Sequence, residues 1–349
     1  MGKLESCTCG VQSRLTSQPR KHMQPIRLLN LGLIPPLQTQ SIYQVLAENM
    51  TRDSQDIIII CGPSTPYLCL GYHQVFENTF DAEECERREL RVLRRRLGGG
   101  ATYLDANQLF YQCIFHHSRM PAMLKDIYAT TLAAPVATLR RLGLDAELRD
   151  TNEIEVDGKR IAGTGGGRIG EACVVVGNLL FDFDFEAMTA VWRTPSSSFR
   201  LLAEKALRQQ LITLNQLAIT ASLEEVTAML IDDFSNAFNR PMQTDTLTAE
   251  EIESAKDVAK ELISDDFLAL HQERGNPDPM RYLKISARAF IHAEEIRVND
   301  YDVRGSFWLS QDVIQMAKLE SNPIYEWQSI EAKLCGTPFK EWREQIHVH

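Results

Sequence analysis

Three consecutive glycines, Gly98, Gly99 and Gly100, sit between a run of arginines and an apolar segment that has room for little but a buried strand. The stretch reads Arg94-Arg95-Arg96-Leu97-Gly98-Gly99-Gly100-Ala101-Thr102-Tyr103-Leu104-Asp105, and Leu109-Phe110-Tyr111-Gln112-Cys113-Ile114-Phe115 follows it. Glycines in series let a backbone turn tightly and approach a ligand with no side chain between them. The amides of such a turn form an anion-binding concavity, and arginines beside it add fixed positive charge. The aromatic and apolar run after it has the composition of a core strand. A basic glycine loop opening onto a core strand suits a nucleotide or an acyl phosphate. The same pattern also fits a plain hairpin with solvated arginines.

Around this stretch the chain shows strand and helix patterns in alternation. Segments 26–33 and 57–61 read as strands, and 38–49 has helical spacing at Ile42, Val45 and Leu46. A long amphipathic helix is predicted over 124–142, closed by Gly143. Further helices are predicted over 202–211 and 223–238, and another opens on the capping box Thr248 to Glu251 and runs to about 270. Asp157-Gly158 between two alternating segments predicts a hairpin that carries Lys159 and Arg160 on its return strand. Gly275-Asn276-Pro277-Asp278-Pro279 is the strongest linker signal. Beyond it, strands are predicted over 282–289, 294–298 and 303–309, with a helix over 312–319. These patterns give a disordered tail at 1–24, a large domain at 25–275 and a small one at 276–349.

The totals narrow the function classes. The 349 residues carry a net charge of −10, which argues against nucleic-acid binding, because that needs a basic face. No apolar run approaches the roughly 20 residues of a membrane span. Eight cysteines are scattered, several within strand-like runs, as buried reduced thiols in a cytoplasmic protein would be.

Taken together, three motifs resemble the lipoate–protein ligase family of the biotin/lipoate ligase superfamily. In that family an arginine precedes Ser-Gly-Gly-Gly, and a small-apolar-aromatic-His-Asp run follows. Here the arginine falls on Arg95, the glycines on Gly98, Gly99 and Gly100, and the next residues on Ala101, Thr102, Tyr103 and Asp105. Leu97 and Leu104 stand where the family has Ser or Thr and His. Pro66, Gly71 and Gln74 reproduce a stretch that lines the acyl pocket, which carries that role onto Gly71, Tyr72 and His73. The family hairpin holds an Asn-Asp pair, matched by Asn152-Glu153, and then a lysine three residues before a glycine. That lysine contacts the acyl carbonyl and phosphate of the bound adenylate. Its place before Gly163 is taken by Arg160, with Lys159 adjacent, so the catalytic cation is expected from this pair. Arg168 matches a displaced family arginine, Gly177 the glycine of a His-His-Gly-Thr-Leu-Leu strand, and Glu153 a magnesium ligand.

The resemblance implies an α+β fold with a central mixed sheet flanked by helices and a small α+β C-terminal accessory domain. It implies activation of lipoate by ATP and Mg2+ to lipoyl-AMP, then transfer to a lysine of a lipoyl carrier domain. Two alternatives stay open. One is an octanoyl or lipoyl transferase working from an acyl carrier through a cysteine nucleophile. The other is a non-catalytic lipoyl-binding paralogue.

Overall fold

A computed structural model of the chain describes residues 24–271 and 280–346. The expected tail and the 275–279 linker signal lie outside the described residues, apart from Gln24. In chain order the first strands are β1 (Ile26–Ile34), β2 (Ile57–Pro63), β3 (Tyr67–Leu70), β4 (Val92–Arg94), β5 (Thr102–Leu104) and β6 (Gln108–His116). They are followed by β7 (Ala146–Arg149), β8 (Glu153–Val156), β9 (Lys159–Arg160), β10 (Thr164–Ile169), β11 (Ala172–Leu180) and β12 (Met242–Thr244). A central six-stranded sheet runs β10-β11-β6-β2-β1-β12. It is mixed: β1 pairs parallel with β2 and β12, whereas β2–β6, β6–β11 and β10–β11 are antiparallel.

Alternation along the strands divides the apolar side chains between two faces. Ile58, Ile60, Tyr111, Cys113, Phe115 and Val175 face helices α4 (Leu124–Arg141) and α7 (Leu223–Phe238). Ile57, Ile59, Cys61, Phe110, Ile114 and Val174 face α1 (Pro36–Glu48), a small β4-β3-β5 sheet and Ala255 of α8 (Ala249–Leu262). The remaining helices of this part are α2 (Phe76–Thr79), α3 (Ala82–Arg87), α5 (Phe185–Ala190), α6 (Ser197–Gln210) and α9 (Asp265–Leu268). The expected strands, helices and capping box of this region form, although the last predicted helix is split into α8 and α9.

The C-terminal part is a four-stranded antiparallel sheet, β13 (Tyr282–Lys284), β14 (Ala289–Val298), β15 (Tyr301–Ser310) and β16 (Val313–Asn322), with α10 (Gln328–Leu334) beside it. Phe199, Leu202 and Ala206 of α6 share an apolar core with Ile285, Ile291 and Trp308 of this sheet. The helix expected over 312–319 is instead strand β16. Its register shifts at Trp308/Leu309, so the buried residues Ile314 and Ala317 fall three apart and mimic helical spacing. Gln311 and Asp312 take positive φ, 50° and 61°, and make the two-residue turn into β16. A mixed α+β architecture with a C-terminal sheet domain is therefore what the chain adopts.

Candidate active site

The glycine loop is built by close backbone approach. The Gly99 carbonyl oxygen lies 2.0 Å from where a Cβ on Gly71 would stand, and Gly99 itself has φ +103°. Tyr72 N–H donates to the Leu97 carbonyl at 3.1 Å. Arg95 holds the turn from inside: its guanidinium donates to the carbonyls of Gly98 (2.9 Å), Gly100 (2.8 Å) and Cys69 (3.3 Å). Arg94 is fully buried and donates to the carbonyls of Gly71, Tyr72 and Gln74 on one side and Phe267, Leu268 and Leu270 on the other. Only Arg96 meets a carboxylate, that of Glu261 at 2.6 Å. Two arginines expected to face a ligand or solvent are thus structural clamps on this loop.

The hairpin forms as the sequence predicts. Asp157 and Gly158 adopt φ 52° and 73°, the turn in which both central residues are left-handed. Val156 pairs with Lys159 and Glu155 with Arg160, and Ile212 N–H caps the Arg160 carbonyl at 3.0 Å. Successive strand residues face opposite sides. Arg160 lines the cavity described below, and Lys159 does not.

A second support runs beneath the loop. Gly163 N–H donates to Asn178 Oδ1 (2.6 Å), Asn178 Nδ2–H to Gln108 Oε1 (2.6 Å) and Gln108 Nε2–H to the Tyr103 carbonyl (3.2 Å). This chain of amides ties β5 to the segment after the hairpin. A Cβ on Gly163 would stand 2.9 Å from Asn178 Oδ1, so the contact needs glycine there.

These pieces surround a cavity of about 590 Å³. One wall is polar: Gln74, Asn78, Gly100, Ala101, Thr102, Arg160, Gly163 and Asn178. An apolar part of the lining comes from Leu180, Phe183, Met188, Trp192, Leu207 and Leu211. Residues 280–285 of the C-terminal part close the third side and bring Arg281 and Lys284. The size is that of a small-molecule site. A lining that combines apolar side chains with a cation fits an acyl chain that ends in a charged head.

Arg160 is the charged centre. Burial pulls its guanidinium below the ordinary arginine range, and Glu153 and Glu155 pull it back up. Glu153 Oε1 lies 3.8 Å from it and accepts the Ala287 N–H at 2.9 Å. Glu155 pairs with Arg288. Arg160 Nε, Glu153 Oε2 and Glu155 Oε2 are buried without hydrogen-bond partners among the described residues. Glu153 does not suit magnesium. One of its oxygens serves an amide, and a cation stands beside it.

Of the residues picked out from the sequence, Gly100, Ala101, Thr102, Arg160 and Gly163 meet at the cavity. Gly98, Gly99 and Arg95 form the loop behind it. Tyr103 is buried against Phe183, its hydroxyl pushed up to about 12 by burial. The expected acyl-pocket residues lie elsewhere: Tyr72 and His73 pack rings with His271, and only the neighbouring Gln74 reaches the cavity. Asn152 accepts the Thr164 hydroxyl through its carbonyl. Arg168 is exposed on β10 and donates to Gly170 O. Gly177 makes room for Tyr111, whose hydroxyl would be 2.2 Å from a Cβ there. Sequence reading missed Asn178, Gln108, Arg281, Lys284 and the apolar wall. The helix predicted over 202–211, which carries Leu207 and Leu211, was the one local signal for these apolar residues.

Comparison with known proteins bears on the fold and the family. The family described as the lipoyl protein ligase A/B catalytic domain matches residues 35–235, more than half of the chain. Octanoyltransferase LipM of Kyrpidia tusciae is 26% identical over 271 residues, covering 70% of this chain and 98% of that protein. The bipartite lipoate protein ligase of Thermoplasma acidophilum, solved in a study with its E2 lipoyl domain, superposes with TM-score 0.66 at 22% identity, over 73% of this chain and 100% of that one. Lipoate-protein ligase A bound with ATP superposes with TM-score 0.61 at 23% identity, over 71% and 100%. The fold is thus shared with solved lipoate protein ligases, and the chain is a member of the lipoyl protein ligase A/B catalytic-domain family.

Proposed function

We propose that the protein is an ATP-dependent lipoate–protein ligase. A lipoate carboxylate oxygen attacks the α-phosphorus of ATP, the α–β phosphoanhydride bond breaks and pyrophosphate leaves. The Nζ of a lysine on a lipoyl carrier domain then attacks the acyl carbon, releasing AMP and a proton. Negative charge grows on the phosphate oxygens in the first step and on the acyl oxygen in the second. Arg160 and the amides of Gly100–Thr102 are the groups placed to receive it. Mg2+ bound with the triphosphate would neutralise its charge in the first step. Glu153 takes no part in holding it.

The observation that carries this reading is the absence of a thiol at the cavity among the described residues. A cysteine-based transferase needs an accessible thiolate beside a base or cation. Burial instead pushes Cys61 and Cys85 up to about 12, Cys113 well above the usual thiol range, and Cys173 upward. Free, mostly buried thiols also suit a reducing compartment such as the cytoplasm. Among the described residues no helix is long and apolar enough to cross a membrane.

The octanoyltransferase reading is favoured by the LipM relative, of which the alignment covers 98%. Cysteine chemistry separates the two. Cys113→Ser and Cys173→Ala are expected to keep lipoyl transfer to a carrier domain within about twofold. Their cost should fall on stability, on the order of 1–3 kcal/mol for a buried polar or cavity-forming change. Intact-mass spectrometry during turnover should find no acyl group on the enzyme. A hydroxylamine-sensitive acyl-cysteine adduct would decide for the transferase.

A further inference from the structure

The turn between β13 and β14 reaches from the C-terminal part to the hairpin that carries Arg160. It is pinned in place. Ile285 is buried in the core shared with α6, and its N–H donates to the Ala289 carbonyl at 2.9 Å. Ser286 Oγ donates to Gln210 Oε1 of α6 at 3.0 Å and accepts the amides of Arg288 (3.3 Å) and Ala289 (3.1 Å). From this turn Ala287 N–H reaches Glu153 Oε1 at 2.9 Å, and the Arg288 guanidinium donates to Glu155 Oε1. Glu155 is the direct cross-strand neighbour of Arg160, and Glu153 lies two residues along the same strand, so both carboxylates share the face of Arg160. Both are buried. Two buried carboxylates opposite one guanidinium attract it strongly, because burial removes most of the screening. Yet Arg160 stands 3.8 Å from Glu153, and its Nε has no hydrogen-bond partner among the described residues. The other cation near Glu155 is Arg149, 3.9 Å from Oε2, half exposed and bonded to Glu147 at 2.6 Å. Arg288 is the close partner of Glu155.

We propose that Arg288 is a positioning residue: by neutralising Glu155 it leaves the Arg160 guanidinium for the acyl and phosphate oxygens of the substrate. The inference rests on the reading of Arg160 as the cation that receives the developing charge. Arg288 is not among the lining residues of the cavity, so its effect on the reaction passes through Arg160. Without Arg288, Glu155 is a buried carboxylate whose cross-strand neighbour is the one fully buried guanidinium of the site. Arg160 then turns from the cavity to Glu155, since an uncompensated buried charge is costly. The cation of the hairpin is in this way set by a residue of the C-terminal part.

The test measures kcat and KM for acyl transfer to a lipoyl carrier domain by the full chain, well below the unfolding midpoint of every variant. Lipoate with ATP and an octanoyl-carrier thioester are supplied in separate assays. The donor that the wild type accepts decides between ligase and transferase, and the ratios among variants with that donor decide the role of Arg288. Arg288→Ala is expected to lower kcat by about 10- to 100-fold, with KM changed much less. Arg288→Lys should recover most of the rate, because a single guanidinium nitrogen makes the contact and an ammonium can replace it. Adding Glu155→Gln to Arg288→Ala should also recover most of the rate, because the carboxylate that captures Arg160 is gone. In an Arg160→Ala background, Arg288→Ala should lower kcat by no more than a further factor of about two. If Arg288 merely holds the two parts of the chain together, Glu155→Gln gives no rescue and the loss multiplies in full with Arg160→Ala. Either of those results, or a normal kcat in Arg288→Ala, overturns the assignment.

Discussion

Arg160→Ala should lower kcat for lipoyl transfer by about 10²–10³, while Lys159→Ala should change it by no more than about twofold. The asymmetry follows from the hairpin register. Arg160 pairs with Glu155 and points into the cavity wall, and Lys159, one residue earlier, lies outside that lining. A cation at the acyl and phosphate oxygens gains strength as charge builds in the transition state, so the loss should appear in kcat more than in KM. Arg160→Lys should recover part of the rate, since it keeps a charge but loses the planar fork. Removing the guanidinium also leaves Glu153 without its nearest cation, so unfolding midpoints must be compared alongside the kinetics. An inactive Lys159→Ala with a near-normal Arg160→Ala would mean that the hairpin presents its other face to the substrate.

Gly71→Ala should be the most damaging glycine substitution in the loop, with lipoyl transfer reduced at least about 10²-fold and stability lowered by roughly 1–3 kcal/mol. The added Cβ would meet the Gly99 carbonyl oxygen at 2.0 Å and its carbon at 2.9 Å. Both are backbone atoms, so no side-chain rotation relieves the clash, and the loop that carries Gly100 to Thr102 must move. At Gly98 and Gly100 a Cβ meets nothing within 4 Å, and alanine at either should be near normal. Gly99, with φ +103°, falls between them in accessible space but is strained by any side chain. Thermal unfolding and transfer assays on the four single variants would rank them. A Gly71→Ala protein with normal rate and stability would contradict the loop geometry.

That ranking also shows what the sequence could and could not reveal. Three glycines in a row are conspicuous, yet the close approach is made by one of them and by Gly71, far back in the chain. Asp157-Gly158 was legible because a two-residue turn fixes register locally, and register alone decides that Arg160 and not Lys159 faces the cavity. Arg94 was illegible. Its six carbonyl partners come from two distant segments, so nothing local separates it from Arg96, which is half-buried and pairs with Glu261. Glu153 reads from sequence as a metal ligand and Glu155 carries no signal, whereas the C-terminal part, through Ala287 and Arg288, makes them buried partners of an amide and an arginine. The same packing brings Arg281 and Lys284 to the cavity across a segment that shows no motif. β16 was misread because a bulge gave a strand helical spacing.

The central claim, that this site activates a free acid as an acyl-adenylate, is tested most directly by isotope exchange without any carrier protein. Labelled pyrophosphate should appear in ATP when lipoate is present, stop when lipoate is omitted, and fall in parallel with transfer in Arg160→Ala. No exchange at saturating lipoate and ATP, together with consumption of an octanoyl-carrier thioester, would contradict the account and make the protein an acyltransferase.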